Sequence, residues 1–271
     1  MQRPLRVGSV PYLVGRPLDA GLEHEPGIEF SRAVPAKLVQ SLRSGELDMA
    51  LVSSIELFRQ PGYRYLDRIA VAGHGYVASV QVFLRKPIEE VRTIALDPSS
   101  RAARALVQVQ LADRPGGCPK FLEPAPGQDP REMEADAWLR IGDEALRELH
   151  AGEFPVYNPS EHWSEATGLP FTFATWIVRP DVNIEAHAET FLRARARGSD
   201  QLLALADEAA ETWKLPVEAC RKYLRDECLY EPGELLTPSL QAFGEAAGRL
   251  GLTDPAATPL PVELPRDLIQ K

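Results

Sequence analysis

Apolar positions along the chain fall into short, nearly unbroken runs separated by helical patterns. The runs at 5–10, 28–31 and 48–52 are rich in Val, Ile and Leu and are bounded by Pro, Gly or Ser, which predicts strands buried on both faces. Between them, Leu18 to Leu22 predicts a short helix opened by Pro17, and the pattern at 35–42, with Leu38, Val39 and Leu42 on one side, predicts a helix closing at Gly45. Ser53 or Ser54 suits the cap of a further turn at 55–58. Extended runs at 63–71 and 78–84 flank a loop containing Gly73 and Gly75. A second alternation follows, with strands at 93–96, 120–122, 135–141 and 154–157 and helices at 99–111 and 143–149. The longest apolar strand is FTFATWIV, at 171–178. Beyond it the patterns at 182–198, 201–213, 216–225 and 236–250 are all helical.

Short links between alternating strands and helices imply sheets covered by helices, an α/β fold. A helical tail after two α/β blocks implies that the chain returns to the first block. The expected division is a first lobe of 1–84 and 176–271 and a second of 85–175, with crossings near 83–86 and 173–177 acting as a hinge.

Composition narrows the classes. A chain of 271 residues with net charge −9 is a poor partner for nucleic acid or an anionic membrane, and it must hold any acidic ligand with local donors. No stretch approaches a membrane span, and the N-terminus lacks the pattern of a signal peptide, so a cytoplasmic protein is expected. Cys118, Cys220 and Cys228 have no metal-ligand spacing and suit reduced thiols. No P-loop, GxGxxG or GxSxG motif occurs, and no histidine pair has metal spacing.

Candidate chemistry gathers at predicted strand ends, where open α/β sheets bind ligands. Tyr12, Val14 and Arg16 lie on the loop after the first strand, and Ser53, Ser54 and Ser79 lie at other strand ends. Asp97-Pro98-Ser99-Ser100-Arg101 opens a helix whose free N–H groups suit a carboxylate, with Asp97 or Ser99 as cap. Asp143 suits the cap of the next helix, and Trp176 suits either the core or the cleft wall.

Six phrases occur together and in order: RVGSVPYL, SGELDMALVSSIE, YVASVQVF, LDPSSR, ADAWLRIGDEAL and HWSEATGLPFTFATWIV. As a set they resemble the chorismate dehydratase family of the futalosine route to menaquinone. The resemblance implies a two-lobed fold of the type II periplasmic-binding-protein kind, with mixed sheets. It implies conversion of chorismate, a small dicarboxylate, to 3-[(1-carboxyvinyl)oxy]benzoate by loss of water, with no cofactor and no metal. It implies a pocket built from Tyr12, Arg16, Ser53, Ser54, Ser79, Ser99, Ser100 and Arg101; Trp176, from its place in the returning strand, is added as an expected substrate contact. Ser79 and position 14 are the expected catalytic positions. The family pattern in the first loop is Tyr-Leu-Asn, and this chain has Val14 in place of the Asn. Valine neither donates nor accepts a hydrogen bond. A weak dehydratase and a non-catalytic binding protein for a small carboxylate therefore both remain open at this point.

Overall fold

A computed structural model describes residues 3–262. The first sheet is built from β1 (Leu5–Ser9), β2 (Ile28–Arg32), β3 (Met49–Ser53) and β4 (Arg64–Gly73), joined later by a returning strand and a strand of the tail. Its helices at this stage are α1 (Arg16–Asp19) and α2 (Pro35–Ser44). Pro17 sits in the first turn of α1 and left-handed Gly45 ends α2, as their sequence predicts. The second sheet contains β5 (Val80–Leu84), β6 (Thr93–Ala95), β7 (Lys120–Leu122), β8 (Ala137–Ile141) and β9 (Val156–Tyr157). Its helices are α3 (Arg101–Leu111) and α4 (Gly142–Ala151). Helix α5 (Pro159–Thr167) then leads to β10 (Phe171–Val178). The tail holds α6 (Ala188–Asp200), α7 (Leu202–Trp213), α8 (Val217–Arg221) and α9 (Leu236–Arg249). It is not wholly helical, because β11 (Leu260–Val262) pairs in parallel with β4.

The strand orders are β11-β4-β10-β3-β1-β2 and β7-β6-β8-β5-β9. Each sheet is parallel except for one internal strand. β10 runs antiparallel between β3 and β4, and β5 runs antiparallel between β8 and β9. These two are the strands that arrive from the other lobe. The crossings therefore lie at 74–79 and 158–170, not at 83–86 and 173–177, since β5 already belongs to the second sheet and all of β10 to the first.

Helix α5 is absent from the pattern-based expectation. Its start is nonetheless a capping sequence: Asn158 Oδ1 accepts from the Glu161 N–H at 2.8 Å, and Pro159 occupies the first turn. The segment is short and carries few apolar residues, which is why periodicity does not reveal it.

The first sheet is buried on both faces. Met49, Leu51, Trp176 and Val178 face one cluster, and Ala50, Val52, Phe171 and Ile177 face the other, an alternation of period two. Helix α3 joins the lobes. Ala102, Ala105 and Leu106 pack into the first lobe's cluster with Trp163, Phe171 and Phe243, whereas Ala103, Val107 and Leu111 pack into the second sheet. Each large aliphatic side chain buried in this way contributes about 1.5–3 kcal/mol.

Candidate active site

The C-terminal ends of the parallel strands in both sheets point at one another across a cleft of about 690 Å³. One wall is the segment after β1, carrying Tyr12 and Val14, together with Ser53 at the end of β3. The other wall is the segment after β6, 97–102, together with the start of α4. Ser79, Tyr223 and Cys228 also line the cleft.

Seven of the residues singled out from sequence thus meet in one place: Tyr12, Val14, Ser53, Ser79, Ser99, Ser100 and Arg101. Tyr12 is 45% exposed. Its phenol is pushed above the usual range by partial burial and by Asp143 and Asp97, so it is present as a donor. Val14 is half-buried and packs against the apolar core beneath the loop. The Ser53 hydroxyl oxygen is buried without a protein partner.

Three of the expected residues lie elsewhere. Arg16 opens α1 but turns away from the cleft, because a 3₁₀ turn at Leu13–Gly15 rotates the helix so that Pro17 and Leu18 bury inward; its Nη1 pairs with Glu208 at 2.6 Å. Ser54 is fully buried and donates to the Thr172 carbonyl at 2.6 Å, stitching its turn to β10. Trp176 is fully buried against Phe191, with ring centroids 5.2 Å apart. The cleft end of β10 is its beginning, at Phe173 and Ala174, and Trp176 lies further along the strand, where the register pairs it with Leu51.

The caps also differ from expectation. Ser100 caps α3, its Oγ accepting from the Ala103 N–H at 3.1 Å. Asp97 instead holds two strand ends together, accepting from the Ser99 N–H at 2.8 Å and the Ile141 N–H at 3.2 Å. Asp143 lies in the first turn of α4 and pairs with Arg147 at 2.6 Å, while Ile141 takes the cap position. At Ser53 the turn that follows is 3₁₀ and the side chain makes no capping bond.

The chemistry available follows from what is committed. Two helices, α3 and α4, begin at the cleft and offer first-turn N–H groups with partial positive charge. Arg101 adds a full charge. The cleft carboxylates all have partners: Asp97 as above, Asp129 with the Arg131 N–H and Arg140, and Asp143 and Glu144 with Arg147. Among the described residues that line the cleft there is no His and no Lys. The site can hold anionic and hydroxyl groups and fix their orientation, but it presents no uncommitted side-chain base.

Residues that sequence reasoning did not single out also meet here. Tyr223 and Cys228 reach the cleft from a π-helical turn at Lys222–Glu227, which follows α8 where the pattern predicts ordinary helix. Nothing in local periodicity marks that turn. Glu56 is a fully buried carboxylate that accepts from Arg43 Nε at 2.6 Å and from Arg101 Nη1 at 3.4 Å, so it ties the first lobe to the start of α3.

Two mixed sheets, each with one antiparallel strand received from the other, and a cleft between their carboxyl edges define a periplasmic-binding-protein-like fold. Solved structures agree: protein AF1704 from Archaeoglobus fulgidus superposes with TM-score 0.71 at 21% identity, covering 92% of this chain and 98% of that one. The periplasmic aliphatic sulphonate binding protein SsuA from Escherichia coli gives 0.65 at 18% identity, covering 98% and 96%. In sequence, a family profile described as menaquinone biosynthesis matches residues 5–249. The chorismate dehydratase of Thermus thermophilus is 30% identical over 266 residues, 91% of this chain and 96% of that protein. The chorismate dehydratase of Campylobacter jejuni is 28% identical, covering 81% and 82%. The chain belongs to this menaquinone biosynthesis family.

Proposed function

We propose that the protein is a hydro-lyase that removes water from chorismate to give 3-[(1-carboxyvinyl)oxy]benzoate. The observation that carries the reading is a cleft with helix starts and Arg101 on one wall, hydroxyls of Tyr12 and Ser53 on the other, and every lining carboxylate committed. Such a site binds a dicarboxylate and aligns it, and leaves proton abstraction to the ligand.

In this reading the substrate's own enolpyruvyl carboxylate takes the C3 proton. The C4–O bond breaks, and the carboxylic acid so formed passes its proton to the departing oxygen. Water leaves, the ring becomes aromatic, and no side chain changes its charge. The enzyme contributes orientation and hydrogen bonds that strengthen as charge develops. Ser99, Ser100 and Arg101 hold one carboxylate, and Ser79 contacts the reacting side of the ring. The free thiols Cys118, Cys220 and Cys228 fit a reducing compartment, the cytoplasm. Among the described residues no helix is long and apolar enough to cross a membrane.

Incubating the purified protein with chorismate and following the enolpyruvyl benzoate by chromatography and mass tests the reading. Product formation supports it. Saturable chorismate binding without product would replace it with the binding-protein reading, which Val14 keeps chemically reasonable.

A further inference from the structure

Among the described residues two cations line the cleft, Arg101 and Arg140. They issue from neighbouring strands: Arg101 follows β6, Arg140 lies near the end of β8, and β6 and β8 pair in parallel. Alternation along β8 turns Leu139 toward α3 and puts Trp138 and Arg140 on the side of α4. There Glu148 of α4 accepts from Arg140 Nε at 2.7 Å with one oxygen and from Trp138 Nε1 at 2.8 Å with the other. Arg140 Nη2 also donates to Asp129. The two acceptors differ. The Glu148 side chain is 12% exposed and uses both oxygens, whereas that of Asp129 is 43% exposed. Asp129 lies on the cleft rim two residues after left-handed Gly127, and it has a second donor in the Arg131 N–H at 2.8 Å. Arg140 itself is buried, but its Nη1 makes no hydrogen bond among the described residues and is not sealed from solvent. A guanidinium fixed from behind by a saturated carboxylate and covered in front by an exposed one is an anion site with a placeholder in it.

We propose that Arg140 binds the enolpyruvyl carboxylate of chorismate, and that Asp129 holds this place until the carboxylate displaces it. This rests on the dehydratase reading above, in which Ser99, Ser100 and Arg101 hold the other carboxylate. In that reading the enolpyruvyl carboxylate is the base. An isolated guanidinium beside it would weaken it, because an opposite charge close by favours the ionised form. Glu148 offsets the charge of Arg140. The pair therefore aims one carboxylate oxygen by a hydrogen bond and leaves the other facing the C3 proton as an effective base. A ligand without the second carboxylate has nothing with which to displace Asp129, so the same two residues tell a dicarboxylate from a monocarboxylate.

The experiment measures, by calorimetry, binding of the product 3-[(1-carboxyvinyl)oxy]benzoate and of 3-hydroxybenzoate, which lacks the enolpyruvyl arm. Wild type is first assayed for turnover of chorismate, and no product from wild type sinks the dehydratase reading and this inference with it. With an active wild type, Arg140→Leu is expected to lower affinity for the dicarboxylate about tenfold or more, because a charge-assisted bond is lost. Asp129→Asn is expected to raise it severalfold. Affinity for 3-hydroxybenzoate should stay the same in both variants. A contact that merely holds the rim in place would be loosened by both changes alike, so the opposite signs mark a binding role. Dicarboxylate affinity that is unchanged in Arg140→Leu, that fails to rise in Asp129→Asn, or that shifts in step with 3-hydroxybenzoate affinity would each overturn the proposal and leave the dehydratase reading standing. Should Arg140→Leu fail to fold, Arg140→Leu combined with Glu148→Gln removes the charge left behind in the core and is read in the same way.

Discussion

The two ends of the sheets are built on different terms. At the end away from the cleft, carboxylates are saturated. Asp48 precedes β3 and accepts from the Arg6 N–H at 2.9 Å and from the side chains of Arg3 and Arg6 at 2.6 and 2.8 Å. Asp136 precedes β8 and accepts from the N–H groups of Arg92 and Thr93 at 2.8 and 3.1 Å and from Lys86 at 2.6 Å. Both ties join the starts of neighbouring strands. At the cleft end, the Ser53 hydroxyl is left without a partner, and of the carboxylates there only Asp97 spans two strands. One end holds the sheets in register. The other pairs its carboxylates locally but leaves the Ser53 hydroxyl and first-turn N–H groups of α3 and α4 for a ligand to complete.

The largest test of this contrast is Val14→Asn. It adds an amide donor and acceptor at position 14, and one hydrogen bond that strengthens in the transition state is worth about 2.7–4 kcal/mol, or roughly a hundred- to a thousandfold in rate. Turnover of chorismate is expected to rise by that order, at a cost of about 1 kcal/mol in stability because Val14 is half-buried against the core; a fall in turnover would show that Val14 belongs to a working site of another kind. Next is Ser100→Ala with Arg101→Ala, which removes charge-assisted bonds of about 1.5–3 kcal/mol each. Calorimetry should show affinity for a dicarboxylate reduced at least tenfold, and the free energy of unfolding should fall by about 1 kcal/mol for the lost cap and further for the partner taken from Glu56. Unaltered affinity would move the ligand away from α3.

The opposite end is tested with acid. Burial works against the Asp48 charge, but the Arg3 and Arg6 bonds outweigh it and hold its pKa below the usual carboxylate range. The Lys86 bond, with the backbone donors, lowers Asp136 from 3.8 to about 2. A depressed native pKa gives stability that is fully present above the unfolded value and is lost as pH falls through the native one. Stability in urea should therefore decline between about pH 4 and pH 2, and Asp136→Asn should remove about 1–2 kcal/mol of that decline. An equal decline in the variant would assign it to other groups. The smallest effect belongs to Ser53→Ala. Removing a buried hydroxyl with no protein partner should leave stability within about 0.5 kcal/mol, while weakening ligand binding severalfold. A marked loss of stability would mean that the hydroxyl is satisfied in the free protein.

The strands were legible because burial on both faces writes itself as continuous apolar runs, and β10 occupies the same 171–178 that its sequence predicts. The loops after β1 and β6, which line the cleft, were legible as loops at strand ends because they follow such runs directly. What was not legible depends on direction in space. Arg16 and Trp176 lie close in sequence to cleft residues, yet helix rotation carries one outward and strand register carries the other into the core. The crossings were misplaced because an apolar run does not say which sheet it joins. Tyr223 was missed because a π turn has no signature of period.

The buried Glu56 carboxylate has a consequence for time rather than for affinity. It receives one guanidinium from its own lobe and one, Arg101, from the other, and it has no contact with water. Parting the lobes strips away the second partner and unpacks Leu106 from its aromatic neighbours in the same movement. Taking one of two partners from a buried carboxylate is unfavourable, so this contact resists parting of the lobes. Ligand exchange that requires the lobes to part is expected to be slowed by this contact. Glu56→Gln is then expected to speed exchange, and it also frees Arg101, which lines the cleft.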